Sequence, residues 1–263
     1  MPGSQSAFVN VIARAGYGSR GVVYVLVGGL AVLAAATGGG KTTGTKGALA
    51  TLLGEPFGQA LLAVLAAGLL AYAGWRLIQA ATDADHHGTG AKGIAIRLGQ
   101  VVSAISYTAL AFFAVSLIMG WGTGGGGGQS TQDWTAKLLA QPFGRWLVGA
   151  VGLIVIGVGL AHGNKVRRET FRRYLQIDQQ TYAKVAPICK FGLLARGLVF
   201  VIIGGFFIVA AVKFSSGQAR GLHGALETLQ SQPYGPYLLG VVALGLVAYG
   251  IFSFIEMAYR RID

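Results

Sequence analysis

Charged side chains make up only 11% of this 263-residue chain, against roughly 25% in a soluble domain, which is too few to cover a water-facing surface. That scarcity excludes an ordinary soluble fold and points to the bilayer. Acids are rarer still, nine against 21 lysines and arginines, and they form no H-E-x-x-H and no paired carboxylates. G-x-S-x-G is also missing, so we expect no enzyme and no catalytic, cofactor-binding or metal site. The single cysteine, Cys189, excludes an intramolecular disulfide.

Apolar residues are plentiful, at 53%, and they fall into runs at 21–40, 56–75, 98–121, 146–164, 197–212 and about 235–255. Each approaches the roughly 20 residues that a helix needs to cross the hydrocarbon core. The runs lack the in/out alternation of a barrel strand, and lipid offers no partner for an open backbone. Six transmembrane helices are predicted. Arg14, Arg20 and "AVLAAATG" (31–38) resemble a secretory leader, but a near-copy of the first run deep in the chain argues for a span.

That copy is one of three matches. "RGVVYVLVGG" (20–29) returns as "RGLVFVIIGG" (196–205), "GALATLLGEPFG" (47–58) as "GALETLQSQPYG" (224–235), and "GLLAY" (68–72) as "GLVAY" (245–249). A degraded middle copy has Tyr107 after Ser103, as Tyr24 follows Arg20, and "KLLAQPFG" (137–144) for "TLLGEPFG". The unit is therefore a hairpin of two spans, used three times: 14–80, 94–163 and 188–258, in pseudo-threefold arrangement. Within each hairpin a glycine-rich or polar stretch leads to a short amphipathic segment, as at 134–140. An x-P-[FY]-G motif then reads as the first turn of the second span, with Pro56, Pro142 and Pro233 opening it and Phe57, Phe143 and Tyr234 at headgroup level.

The "ARAGYGSRGVVYVLVGG" opening (13–29), "GALATLLGEPFG" and "GLLAYAGWRLIQA" (68–80) resemble the bacterial integral membrane family catalogued as domain of unknown function 1206. Its members carry three copies of a two-helix unit. The resemblance implies an all-α bundle of six transmembrane helices and no particular activity. The middle copy departs from the pattern, with Ser103 in place of arginine.

Fifteen basic residues lie on the side of the termini and six on the other (Lys41, Lys46, Lys137, Arg145, Lys213, Arg220), which sets both termini in the cytoplasm of a plasma-membrane protein. The net charge of +12 then reads as this asymmetry together with attraction to anionic lipid, with no nucleic-acid partner. The segment 164–187 reads as a basic amphipathic linker on the inner leaflet, or as a plain solvated one.

Other motifs give weaker signals. "GGGKTTGTKG" (38–47) lacks the leading glycine of a phosphate loop, having Ala35 there; "GGGGG" (124–128) reads as linker; Asp83, Asp85, His86 and His87 form a solvated loop rather than a metal site; His162 reads as interfacial. Intramembrane ionisable residues carry more weight. Glu256 is the one acid bordering the interior of a span, with Arg20, Arg76 and Arg196 at similar depth and Tyr24, Tyr72, Tyr107 and Tyr249 as hydroxyl sources. These residues form a candidate structural ion-pair cluster, against the alternative that the arginines snorkel to lipid phosphates. The expected role is a non-catalytic accessory or scaffold protein, with a membrane-protein partner or a second copy; the alternative is a small ion or solute transporter or channel around the repeat axis.

Overall fold

The computed structural model describes residues 2–37, 42–121 and 127–262; Lys41, with the rest of 38–41, and most of the 124–128 glycine run lie outside them. The helices run in the order α1 (Pro2–Ala36), α2 (Thr45–Leu53), α3 (Gly58–Thr82), α4 (Ala91–Ile118), α5 (Gly127–Leu139), α6 (Gly144–Arg167), α7 (Gln179–Lys213), α8 (Leu222–Gln230) and α9 (Gly235–Tyr259). Among the described residues, the long helices α1, α3, α4, α6, α7 and α9 are apolar enough to cross a membrane, and no strand is formed. Large apolar side chains such as Leu98, Val102, Ile105 and Phe112 on α4, and Leu153, Ile154 and Leu160 on α6, stand exposed, as lipid-facing surfaces require.

The six long helices form a ring in chain order, closed mainly by contacts between hairpins. Helix α9 packs on α1, α3 on α4 and α6 on α7. Small residues let these backbones meet. A Cβ on Gly250 would lie 2.9 Å from Gly21 O, one on Gly197 2.8 Å from Gly159 O, and one on Gly204 2.7 Å from Gly152 O. In the α3–α4 pair the corresponding repeat positions are Ala66, Ala73, Ala104 and Ala111, all buried. Of the Gly159/Gly163 pair, only Gly159 meets a neighbouring helix.

Contacts within a hairpin are weaker, and in the middle hairpin they are nearly absent. Helix α1 packs on α3 and α7 on α9, whereas α4 and α6 barely meet. Repeat register explains the difference. In the outer hairpins Gly16 lies against Tyr72 and Gly68 against Ser19, and correspondingly Gly192 lies against Tyr249 and Gly245 against Ala195. In the middle hairpin the positions of Gly68 and Ser19 are taken by Ile154 and Val102, both exposed, and Gly99, the counterpart of Gly16, has nothing within 4 Å of a Cβ. Two branched side chains replace the small pair, so these helices stand apart. The ring is left with one lateral seam.

On the face opposite the termini the three short helices converge. Helix α2 packs on α5 and α5 on α8, while Gly44 approaches His223 at the start of α8. Leu49, Thr135 and Leu226, equivalent by register, are each at most 1% exposed and close the ring on that side.

The x-P-[FY]-G motif differs from its sequence reading. Each proline sits in a turn two residues before the helix, closed by Gly58 N–H to Glu55 O, Gly144 N–H to Gln141 O and Gly235 N–H to Gln232 O, all 2.8 Å. The aromatic takes the turn position that demands positive φ, near 61° at Phe57, Phe143 and Tyr234 alike. The glycine then starts the helix because a Cβ there would fall 2.3 Å from Leu52 O, 2.1 Å from Leu138 O and 1.9 Å from Gln230 O in the three copies. The motif is a sharp turn in which proline presets φ and glycine permits close approach. The aromatics, about 80% exposed, project outward.

The 164–187 segment is not one amphipathic helix. It comprises the end of α6, a 3₁₀ turn (Thr170–Tyr174), a short extended stretch and the start of α7, capped by the Asp178 side chain. Its apolar residues enter the protein rather than the leaflet. Phe171, 4% exposed, packs on Phe252 and Tyr182, and Leu175 pairs with Arg260 through Gln176 N–H to Tyr259 O (2.7 Å) and Arg261 N–H to Tyr174 O (2.9 Å). Glu169 accepts from Lys190 and Tyr182, and those hydrogen bonds hold its carboxyl below the usual range.

Candidate functional site: a closed network of arginines and tyrosines

The polar interior lies in the half of the ring nearer the termini. Arg20, 2% exposed and midway along α1, forms an ion pair through Nη2 with Glu256 of α9, donates from Nε to Ser253 Oγ (3.0 Å) and from Nη1 to Tyr72 Oη of α3 (2.6 Å). Its guanidinium also lies over the rings of Tyr17, Tyr72 and Tyr249 at 4.9–5.3 Å. Aromatic faces favour a cation, so burial of this arginine is offset on several sides.

From Glu256 the network continues and closes on itself. The second carboxylate oxygen accepts from Arg260 Nη1 (2.7 Å), and Arg260 Nη2 donates to Asp85 (3.0 Å) in the loop after α3. Asp85 also accepts from Gln79 Nε2 (2.8 Å); Gln79 Oε1 accepts from Arg76 Nη1 (3.0 Å); and Arg76 Nε reaches Tyr72 Oη (2.9 Å), which Arg20 already contacts. Seven side chains thus form one loop across α1, α3, α9 and the segments following α3 and α9. Three guanidiniums face two carboxylates. A buried charge is tolerated only when paired and hydrogen-bonded, and this closure supplies both on most sides, with Arg260 Nε left buried without an acceptor.

Of the four residues singled out from sequence, Arg20 and Glu256 meet directly and Arg76 joins them through Tyr72. Arg196 stands apart. Its Nη1 donates to Tyr249 Oη, its guanidinium lies over Tyr249 (4.5 Å), Phe200 (4.9 Å) and Tyr24 (5.4 Å), and its Nε is buried without an acceptor. Tyr107 offers its ring rather than a hydroxyl bond, edge-on to Tyr72 at 4.7 Å.

Sequence reasoning missed Asp85, Gln79 and Arg260. Arg260 lies four residues after Glu256, just past the end of α9, a spacing of about one helical turn that could have been read. The Asp83–His87 loop is also more than a solvated turn. Asp83 accepts from the backbone N–H groups of His87 (2.8 Å) and Gly88 (2.7 Å), which hold its carboxyl low, while Asp85 is committed to Arg260 and Gln79. No three His, Cys, Asp or Glu side chains converge among the described residues. His162 is not interfacial: it is 7% exposed, with Nδ1 2.7 Å from Val158 O and its ring against Phe200.

An apolar exterior, six crossing helices and charges enclosed between them define a multi-pass membrane protein built by repeating a hairpin. Within that class, the chain belongs to the family described as Domain of Unknown Function (DUF1206), which matches residues 15–83, 98–168 and 191–260. It is 34% identical over 257 residues to an uncharacterized protein, YxxB, of Bacillus subtilis (strain 168), a similarity covering 97% of this chain and 92% of that protein. No solved structure matches.

Proposed function

We propose that the protein is a non-catalytic accessory or scaffold protein of the cell membrane, with both termini cytoplasmic and a membrane-protein partner or a second copy as its binding partner. The observation that carries this reading is the state of the ring interior. Its polar side chains are bonded mostly to one another, and the short helices cover the opposite end. Glu256, the acid best sheltered for proton chemistry, is held by Arg20 and Arg260. One concavity is lined by Phe191, Leu194, Leu198 and Val241, exposed apolar side chains of α7 and α9, and another by residues 168–177 of the segment between α6 and α7. Neither forms a passage.

A transporter is the second reading, favoured by the surplus of interior guanidiniums over carboxylates and by the lateral seam. Proteoliposomes distinguish the two. The scaffold reading expects anion and cation flux equal to that of empty vesicles, and flux well above that background would replace it with the transporter. Orientation is tested in intact cells with single cysteines in a Cys189→Ser background. Cysteines at Thr43, Thr131 and Ser216 should label with an impermeant reagent, and those at Thr89 and Thr181 should not. Labelling at Thr181 would reverse the topology that the fifteen-to-six basic asymmetry supports.

A further inference from the structure

The outer hairpins place an arginine at the same point, but among the described residues only one of the two has a counter-ion. Helix α1 packs on α9 as α7 packs on α6, and register equates Arg20, Ser253 and Glu256 with Arg196, His162 and Lys165. Both His162 and the Arg196 guanidinium lie against Phe200. Where Arg20 meets a carboxylate, register therefore gives Arg196 a lysine, and the two cations lie within electrostatic reach of each other. No carboxylate pairs with Arg196 or Lys165 among the described residues, and Arg196 Nε remains buried without an acceptor.

Lys165 is also placed to be reached. Its counterparts Gln79 and Glu256 are buried, yet Lys165 is exposed because α4 does not pack on α6 beside it. It still lies among protein atoms and within electrostatic reach of Arg76, Glu256, Arg196 and Arg260, so three cations and one carboxylate act on it, and that carboxylate is already bonded to Arg20 and Arg260. Two cations beside a lateral opening, neither paired with a carboxylate among the described residues, call for negative charge.

We propose that Arg196 and Lys165 bind an oxyanion of the phosphate class, admitted between α4 and α6, which takes the place that the Glu256 carboxylate fills beside Arg20. Arg196 supplies guanidinium N–H donors, Nε among them, Lys165 supplies a point charge, and His162, bonded to the Val158 carbonyl, walls the site. The same chemistry is offered by a free phosphate and by an anionic lipid headgroup entering sideways from the leaflet. This inference stands independently of the scaffold reading, since either a scaffold or a transporter could hold such an ion.

The test uses the full-length protein in detergent, with thermal unfolding read by tryptophan fluorescence. The probes are inorganic phosphate in phosphatidylcholine micelles, and phosphatidylglycerol against phosphatidylcholine at constant ionic strength. At about a hundredfold excess over Kd the parent should melt roughly 5–10 °C higher. A response to inorganic phosphate assigns the site to a soluble oxyanion, and a response confined to phosphatidylglycerol assigns it to a headgroup. Lys165→Gln should lose at least half of the shift. Lys165→Glu, which gives Arg196 the acid its sister has, should raise the melting temperature without anion and abolish the response. Lys184→Gln, exposed near the start of α7, should respond as the parent does. The proposal is overturned if the parent ignores both probes, if Lys165→Glu responds like the parent, or if Lys184→Gln loses the shift equally.

Discussion

Glu256→Gln should lower the melting temperature of the detergent-solubilised protein by roughly 10 °C. The substitution keeps the shape of the side chain and removes its charge, leaving Arg20 and Arg260 without the anion they share. Removing one partner of a buried pair costs about 3–5 kcal/mol, because the remaining charge stays desolvated. For a chain of this length each kcal/mol moves the midpoint by roughly 2–4 °C. The loss should be coupled to Arg20. Arg20→Gln alone should be similarly destabilising, and the double variant should melt well above the additive expectation, since it removes both charges of the pair. Additive losses, or a Glu256→Gln protein that melts like the parent, would show that the arginines are satisfied elsewhere and that the network does not hold the first and last hairpins together.

The spans and the threefold repetition were legible because both depend on long-range statistics. A run of some twenty apolar residues has few readings, and three matches at nearly one offset equate positions that local propensity would leave unrelated. Glu256 stood out because an acid beside an apolar span is rare. Its partners were harder to read. Asp85 lies in a polar loop whose composition suggests solvent, and only the end of α9, swinging across to it, gives Asp85 a cation. The apolar residues of the basic 164–187 segment, Phe171 and Leu175 among them, pack on the protein rather than the leaflet, a choice of apolar partner that composition cannot tell. Proline's usual preference points to a helix start at Pro56, Pro142 and Pro233, whereas the crowding of each following glycine against the preceding helix sets the start two residues later. The middle repeat was visibly degraded at Ser103, but the exchanges that open the seam, Ile154 and Val102, lie where only the register of neighbouring copies reveals a helix contact.

That last point gives a prediction with opposite outcomes at equivalent positions. Gly16, Gly99 and Gly192 occupy one place in the three copies. An added Cβ would meet Tyr72 Cα at 2.5 Å and Tyr249 N at 2.4 Å in the outer hairpins, and nothing within 4 Å in the middle one. The obstruction in the outer copies is backbone, which cannot swing aside, so Gly16→Ala and Gly192→Ala must push two helices apart. Overpacking of this kind costs about 1–3 kcal/mol, and here it would also displace Tyr72 and Tyr249, which accept from Arg20 and Arg196, so the upper end of that range or beyond is expected. Gly99→Ala should instead be neutral or stabilising by up to about 1 kcal/mol, since alanine is the better helix former and meets no neighbour. Thermal unfolding of the three variants side by side tests the seam itself. If Gly99→Ala is as damaging as the other two, α4 and α6 are in contact in the membrane, the ring is closed, and the cleft that exposes Lys165 does not exist.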